Sequence, residues 1–199
     1  MSKTLLKYIP NSALPLISSW FKEYNFHLRI SKRRNSKFGD FRPAFKNQPN
    51  RISVNGDLNQ YHFLITLTHE VAHAAIWQQY KNKVLPHGKE WKSKYSELLR
   101  ILLSQVHIPA DLESVISTHL QKPSASSCND PELFKALKEY DPSNDHLYLS
   151  DIDLGTLFII HGKRTFKKGK KRRTRYECFE ISSKKIYLIS GHAEVKLTN

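Results

Sequence analysis

Apolar residues near the start of the chain recur at helical spacing. Ala13, Leu14, Ile17, Trp20, Phe21 and Tyr24 share one face of a helix that Asn11 can cap, with Pro15 in its first turn. The period then shortens to two. Phe26-His27-Leu28-Arg29-Ile30 alternates as a strand does, and Gly39-Asp40 reads as the connection to a second strand over 41–45. Residues 51–55 read as a third strand, closed by the turn pair Asn55-Gly56. A long helix is expected over 58–79, offered Asp57 or Asn59 as a cap. Its flank of Phe63, Leu64, Leu67, Val71, Ala74 and Ala75 marks it as a core helix. Pro86-His87-Gly88 breaks the pattern, and a helix resumes over 90–104 with Trp91, Tyr95, Leu98, Leu99 and Leu102 on one side.

Beyond residue 109 the periodicity weakens. Short helices are expected over 111–120 and 131–140, with a Ser-rich linker over 122–129 and a turn-rich stretch over 141–145. After residue 150 the texture becomes that of strands, over 156–161, 173–181, 185–190 and 194–197, and nothing repeats. The order predicts an α+β protein in three parts. A helical domain with a small sheet covers 1–122, a linker with a short helix 123–150, and a small antiparallel β domain 151–199.

Composition excludes several classes. In 199 residues, 39% hydrophobic and 25% charged side chains are those of an ordinary globular protein, and 7 Gly with 9 Pro exclude a collagenous chain. No apolar run approaches the roughly 20 residues that span a bilayer. Lys7, Pro10, Asn11 and Pro15 interrupt the apolar groups of the first 21 residues, so no signal peptide is expected. Cys128 and Cys178 are too few for a disulfide framework or a four-thiolate zinc site. A cytoplasmic location is expected, with association to the nucleoid left open and no membrane partner.

Charge changes the picture more. With 32 basic and 18 acidic residues the net charge is +14, which favours polyanionic partners such as DNA. The excess concentrates in Lys163, Arg164, Lys167, Lys168, Lys170, Lys171, Arg172, Arg173 and Arg175, a run without an acid. This run reads as the tip of a hairpin, either a solvated surface or a phosphate-contacting one. A second cluster is Lys32, Arg33, Arg34 and Lys37.

The chemistry lies in His69-Glu70-Val71-Ala72-His73, inside the long helix. Residues four apart are separated by about 40° around a helix axis, so both imidazoles project from one face and can bind one metal ion. Glu70, offset by about 100°, can reach a metal-activated water without being a ligand and take its proton as the water attacks a carbonyl. A catalytic zinc usually takes three protein ligands, and His87, in the Pro86-His87-Gly88 break fourteen residues after His73, is the candidate for the third.

Thr68-His69-Glu70-Val71-Ala72-His73-Ala74, followed after a spacer by His87-Gly88-Lys89-Glu90-Trp91, resembles the SprT-like family, which includes the Spartan proteases that degrade proteins crosslinked to DNA. The run Arg34-Asn35-Ser36-Lys37-Phe38-Gly39-Asp40-Phe41-Arg42 is similar to the strand pair preceding the helix in that family. The resemblance covers about residues 25 to 100. It implies a minimal zincin-like metallopeptidase domain with an exposed cleft, one Zn2+ held by His69, His73 and His87, and Glu70 as the catalytic carboxylate. The expected substrate is a protein bound or crosslinked to DNA. The alternative is a nucleic-acid-binding protein whose zinc site is not catalytic, and hydrolysis of a small amide is a third reading.

Residues 151–199 depart from the family, in which a zinc ribbon with two Cys pairs often follows. Only Cys178 remains here, so a ribbon-like module without metal is expected, held by Phe158, Ile160, Tyr176, Phe179, Ile181, Tyr187 and Ile189. Its basic tip would face DNA, and Phe166 and Tyr176 can either stack on unpaired bases or be buried. His62, two turns before the motif, is expected to be an ordinary helix histidine, a neighbour of the metal ligands or a substrate contact. Trp20, Tyr24, Tyr61, Trp77 and Trp91 are expected to pack in the core, and Cys128 has no basic neighbour to activate it.

Overall fold

A computed structural model describes residues 2–34, 37–121, 130–142, 147–160, 163–173 and 175–198. The Ser-rich linker with Cys128 lies outside the described residues, as do Asn35, Ser36, His146 and His161. The chain forms two compact units, Met1–Pro142 and Ser143–Asn199.

The first unit begins with α1 (Ser2–Leu5), a 3-10 turn (Asn11–Ala13) and α2 (Leu14–Tyr24). Asn11 sits in the turn and does not cap α2, whose first turn accommodates Pro15 because that position needs no amide donor. Asn25, at φ 43°, ends the helix in the left-handed region and leads into β1 (Phe26–Ser31). The central strand is β3 (Asn50–Asn55), parallel to β1 and antiparallel to β2 (Gly39–Arg42). Strand β2 starts two residues earlier than the hydrophobic pattern suggests and stops before Pro43, which has no amide proton to give. Gly39 is therefore a strand residue and not part of a connection.

Helix α3 (Gln60–Tyr80) starts at Asn59, whose side chain accepts from the amides of Tyr61 and His62. The same side chain donates to the Leu137 carbonyl and to Asp141. Helices α4 (Lys89–Gln105), α5 (Ala110–Gln121) and α6 (Pro131–Lys138) follow. The core gathers Trp20, Ile52, Val54, Phe63, Leu67, Trp91, Leu98 and Ile116. Leu133 and Leu137 join it, so the short helix expected in a linker belongs to the first unit. Asp130 caps that helix and its apolar stripe has somewhere to go.

The second unit is a six-stranded sheet of β4 (Leu147–Tyr148), β5 (Leu157–Ile160), β6 (Arg164–Arg172), β7 (Arg175–Glu180), β8 (Ile186–Ser190) and β9 (Glu194–Leu197). Its order is β4-β9-β5-β6-β7-β8 and every pairing is antiparallel. The basic run is thus mostly a strand and not a tip. Ladders on both sides, with Phe166 between Phe158 and Glu180, outweigh the poor strand propensity of lysine. The core is Leu149, Ile152, Phe158, Ile160, Phe166, Cys178 and Val195. Phe179 does not belong to it: alternation along β7 turns Cys178 inward and leaves Phe179 40% exposed on the opposite face. Ile181, just past the strand end, is exposed as well.

Lys168 is also misplaced by charge reading alone. It is 5% exposed, donates to the Ile152 carbonyl, and lies 4.2 Å from the Tyr176 ring centroid. It crosslinks the unit internally, with its amine directed at the Ile152 carbonyl and not at the surface. Phe166 stacks on Phe158 at 5.7 Å and is buried, so it offers no platform to a base.

Candidate metal centre

Helix α3 and the loop before α4 bring three imidazoles to one point. The Nε2 atoms of His69 and His73 are 3.2 Å apart, those of His73 and His87 2.9 Å, and those of His87 and His69 3.2 Å. Each Nε2 carries either a proton or a lone pair. No assignment of protons therefore makes all three edges of this triangle hydrogen bonds. A single cation satisfies all three at once. Tetrahedral ligation at about 2.0–2.1 Å requires nitrogens about 3.3–3.4 Å apart, close to the spacing here. The three residues fit one metal ion.

Local structure explains the convergence. His69 and His73 are one turn apart on α3, and the turn Leu85-Pro86-His87-Gly88 closes through a Gly88 amide bond to the Leu85 carbonyl. His87 occupies its third position at φ 58°, where glycine is unstrained, so the chain holds a histidine in the left-handed region beside the site. All three rings lie against the indole of buried Trp91, with centroids 4.6, 5.2 and 4.6 Å away for His69, His73 and His87. Burial, and then His73 and His87, hold the His69 imidazole well below its ordinary pKa; burial and His87 lower His73 to about 3, and burial and Lys92 lower His87. The rings are held neutral, the form that ligates metal.

Glu70 is 6% exposed and tucks against the edge strand β2. A Cβ on Gly39 would lie 2.5 Å from its Oε1 and 2.7 Å from its Cγ, so only glycine lets the strand approach this closely. Burial raises the carboxyl to about 8, with Asp40 adding to it, while Arg34, Lys37 and the Phe41 amide, which donates to the carboxylate, pull it back. Arg34 also ties this segment down. Its guanidinium donates to Asn55 Oδ1 (2.8 Å), Ser53 Oγ (3.0 Å) and the Phe38 carbonyl, and Asn55 returns bonds to the carbonyls of Arg34 and Lys37. The second basic cluster is thus partly architectural.

His62 does not face a substrate. It is fully buried, edge-on to Phe38 (4.5 Å) and to Phe134 (6.0 Å), and neither ring nitrogen has a partner among the described residues. His119 is a further buried histidine, and neither its spacing nor its neighbours in the chain single it out. Its Nδ1 lies 2.6 Å from Asp130 Oδ2. In the second unit, Lys163, Lys167, Lys170, Lys171, Arg173 and Arg175 are exposed. Arg164 pairs with Glu180 and Arg172 with Glu177.

A three-histidine site on a core helix, with a buried carboxylate one residue after the first ligand, is the arrangement of a metallopeptidase-like domain. Residues 15–109 match the SprT-like family, whose members are associated with zincin-like metallopeptidases, and the first unit carries a SprT-like domain. No curated protein and no solved structure matches the chain. Among the described residues no helix is long and apolar enough to cross a membrane.

Proposed function

We propose that this protein is a zinc-dependent endopeptidase acting on polypeptides bound or crosslinked to DNA. One observation carries the reading: three imidazole nitrogens meet at the side of a helix whose buried Glu70 is anchored by a neighbouring strand. His69, His73 and His87 would hold one Zn2+, whose Lewis acidity polarises a scissile carbonyl and acidifies water. Glu70, whose carboxyl the charge of a bound Zn2+ would return to its ionised form, takes the proton of the attacking water and returns it to the departing amine nitrogen. The Phe41 amide and the absent Cβ of Gly39 keep the carboxylate in place for both transfers. The exposed cations Lys163, Lys167, Lys170, Lys171, Arg173 and Arg175 offer the DNA backbone a row of phosphate contacts, with Arg164 and Arg172 partly engaged by acids.

The test begins with zinc content by mass spectrometry, beside His73→Ala and His87→Ala. About one zinc per chain, absent or weakly held in both variants, supports the site. Cleavage of a DNA-crosslinked protein should then fall at least about 100-fold in Glu70→Gln with zinc retained. Full cleavage by that variant sinks the mechanism. Replacing Lys167, Lys170, Lys171 and Arg173 together by alanine should flatten the dependence of DNA affinity on salt, by about 0.9 in log–log slope for each phosphate no longer neutralised. DNA binding that survives these changes intact removes the second unit from the reading.

A further inference from the structure

Behind the three histidines lies a buried polar pair that the proposed chemistry does not use. Tyr95, one turn after Trp91 on α4, stacks on that indole (4.9 Å, 24°) and stands edge-on to the His69 ring (5.5 Å). Tyr95 in turn meets His119 of α5 at 6.0 Å and 78°. The His119 side chain is 1% exposed, and its Nδ1 bonds to Asp130 Oδ2. Asp130 Oδ1 accepts from the Leu133 amide and so fixes the carboxylate to the start of α6. A continuous series of contacts runs from Asp130 through His119 and Tyr95 to Trp91 and His69.

Ligand imidazoles are ordinarily aimed by a carbonyl or carboxylate that accepts from the nitrogen not bound to metal. Among the described residues, no such bond is present for Nδ1 of His69, His73 or His87, whose hydrogen-bonding contacts are with one another. The direction in which each Nε2 lone pair points is therefore left to ring packing on Trp91 and, for His69, on Tyr95. A carboxylate–histidine pair is present after all, but one layer further back. His119 is not a space filler: its Nε2 is buried with no partner among the described residues, a cost that leucine in the same place would avoid. Buried polar pairs of this kind add little stability over an apolar pair and can serve to select one arrangement of the groups around them.

We infer that His119 and Asp130 are positioning residues for the metal centre. They fix the Tyr95 ring, and Tyr95 with Trp91 sets the orientation of His69; the inference rests on the metal reading of the three histidines. Two substitutions in the full chain separate this role from packing. Asp130→Asn preserves the shape and the acceptor that caps α6, but presents an N–H to His119 where a carboxylate oxygen stood. His119→Leu fills the space and removes the bond, while His119→Asn keeps a donor near the Nδ1 position. The readouts are zinc affinity by chelator competition, the visible spectrum of the cobalt-loaded protein, and the melting temperature of the metal-free protein.

Zinc should bind about tenfold more weakly in Asp130→Asn and His119→Leu, with displaced cobalt bands. His119→Asn should recover much of the affinity. Unchanged affinity and spectrum in the first two variants overturns the inference. So does an affinity loss that only follows a lower melting temperature while the cobalt spectrum stays that of the parent. Failure of the parent protein itself to take up zinc or cobalt instead removes the metal centre, a result distinct from either.

Discussion

Adding a single methyl group at Gly39 tests whether β2 holds the proposed general base. Gly39 does not have positive φ, so its backbone accepts alanine and the effect is one of space. The new Cβ would meet Glu70 Oε1 at 2.5 Å, Glu70 Cγ at 2.7 Å and Thr66 Cγ2 at 2.8 Å. Ordinary contacts between such atoms are about 3.5–4.0 Å, so the strand or the carboxylate must retreat by about 1 Å. Overpacking of this size costs about 1–3 kcal/mol in unfolding free energy. A displacement of about 1 Å at a catalytic group costs about 100-fold in turnover. Gly39→Ala should therefore keep its zinc, since all three ligands lie outside β2, and lose both stability in urea unfolding and cleavage of the crosslinked substrate. Adding Thr66→Ser removes one of the three colliding atoms. It should restore part of the stability and little of the activity, because the clash with Glu70 remains. Parental turnover in Gly39→Ala, with parental stability, would show that β2 does not fix Glu70.

Two further outcomes follow from groups the fold holds under stress. His87→Gly should lower zinc affinity by orders of magnitude, yet leave the metal-free protein within about 1 kcal/mol of the parent, because release from the left-handed region offsets the missing ring packing and the greater chain entropy of glycine; a loss above about 2 kcal/mol in urea would refute the strain argument. His62, lowered to about 3 by burial first and by Lys138 second, stays neutral in the folded protein below its ordinary pKa of about 6.5, whereas the unfolded chain takes up a proton. Stability contributed by its neutral burial is present above pH 6.5 and is lost as pH falls towards 3. By pH 5 the loss is about 2 kcal/mol, and urea unfolding of metal-free His62→Phe should show a correspondingly shallower fall between pH 7.5 and 5; parallel falls in the two proteins would contradict it.

The three-histidine cluster was legible because its information is local. Helical spacing puts His69 and His73 on one face, and the Pro86-His87-Gly88 break puts the third imidazole on a turn. The long helix offered Asp57 or Asn59 as its cap, and Asn59 fills that place. What escaped reading depends on partners distant in sequence. Gly39 looks like a connection until β3 pairs with it and Glu70 needs its missing Cβ. The basic run 163–175 looks like a hairpin tip, solvated or phosphate-contacting, until β5 and β7 supply ladders on both sides of its first part. Lys168 counts towards charge in any composition, and only the fold shows its amine spent on the Ile152 carbonyl. His119 and Asp130 meet across a stretch whose sequence signals loop, so neither residue type nor spacing marks them.

The stress in the fold is concentrated, and its location is itself informative. Among the described residues, the buried side-chain atoms without a hydrogen-bond partner are both nitrogens of His62, Thr66 Oγ1, Trp91 Nε1 and His119 Nε2. His62 and Thr66 precede Glu70 on α3 by two turns and one, Trp91 underlies the three histidines, and His119 packs on the tyrosine beside them. The same neighbourhood holds Glu70 buried, three imidazoles in mutual contact and His87 at positive φ. Each such feature costs about 1–3 kcal/mol in a folded protein. Scattered through a core, they would read as poor packing. Gathered around one helix and the turn that faces it, they fit the proposed site, whose groups would be held ready at the expense of stability, and a cation at the three Nε2 atoms would relieve the most crowded of them directly. Metal binding should accordingly stabilise the first unit well beyond its contribution to the second. Trp20, Trp77 and Trp91 all lie in the first unit, so tryptophan fluorescence follows its melting alone. Zinc should raise the midpoint of that transition, and His73→Ala, which breaks the triangle, should abolish the rise.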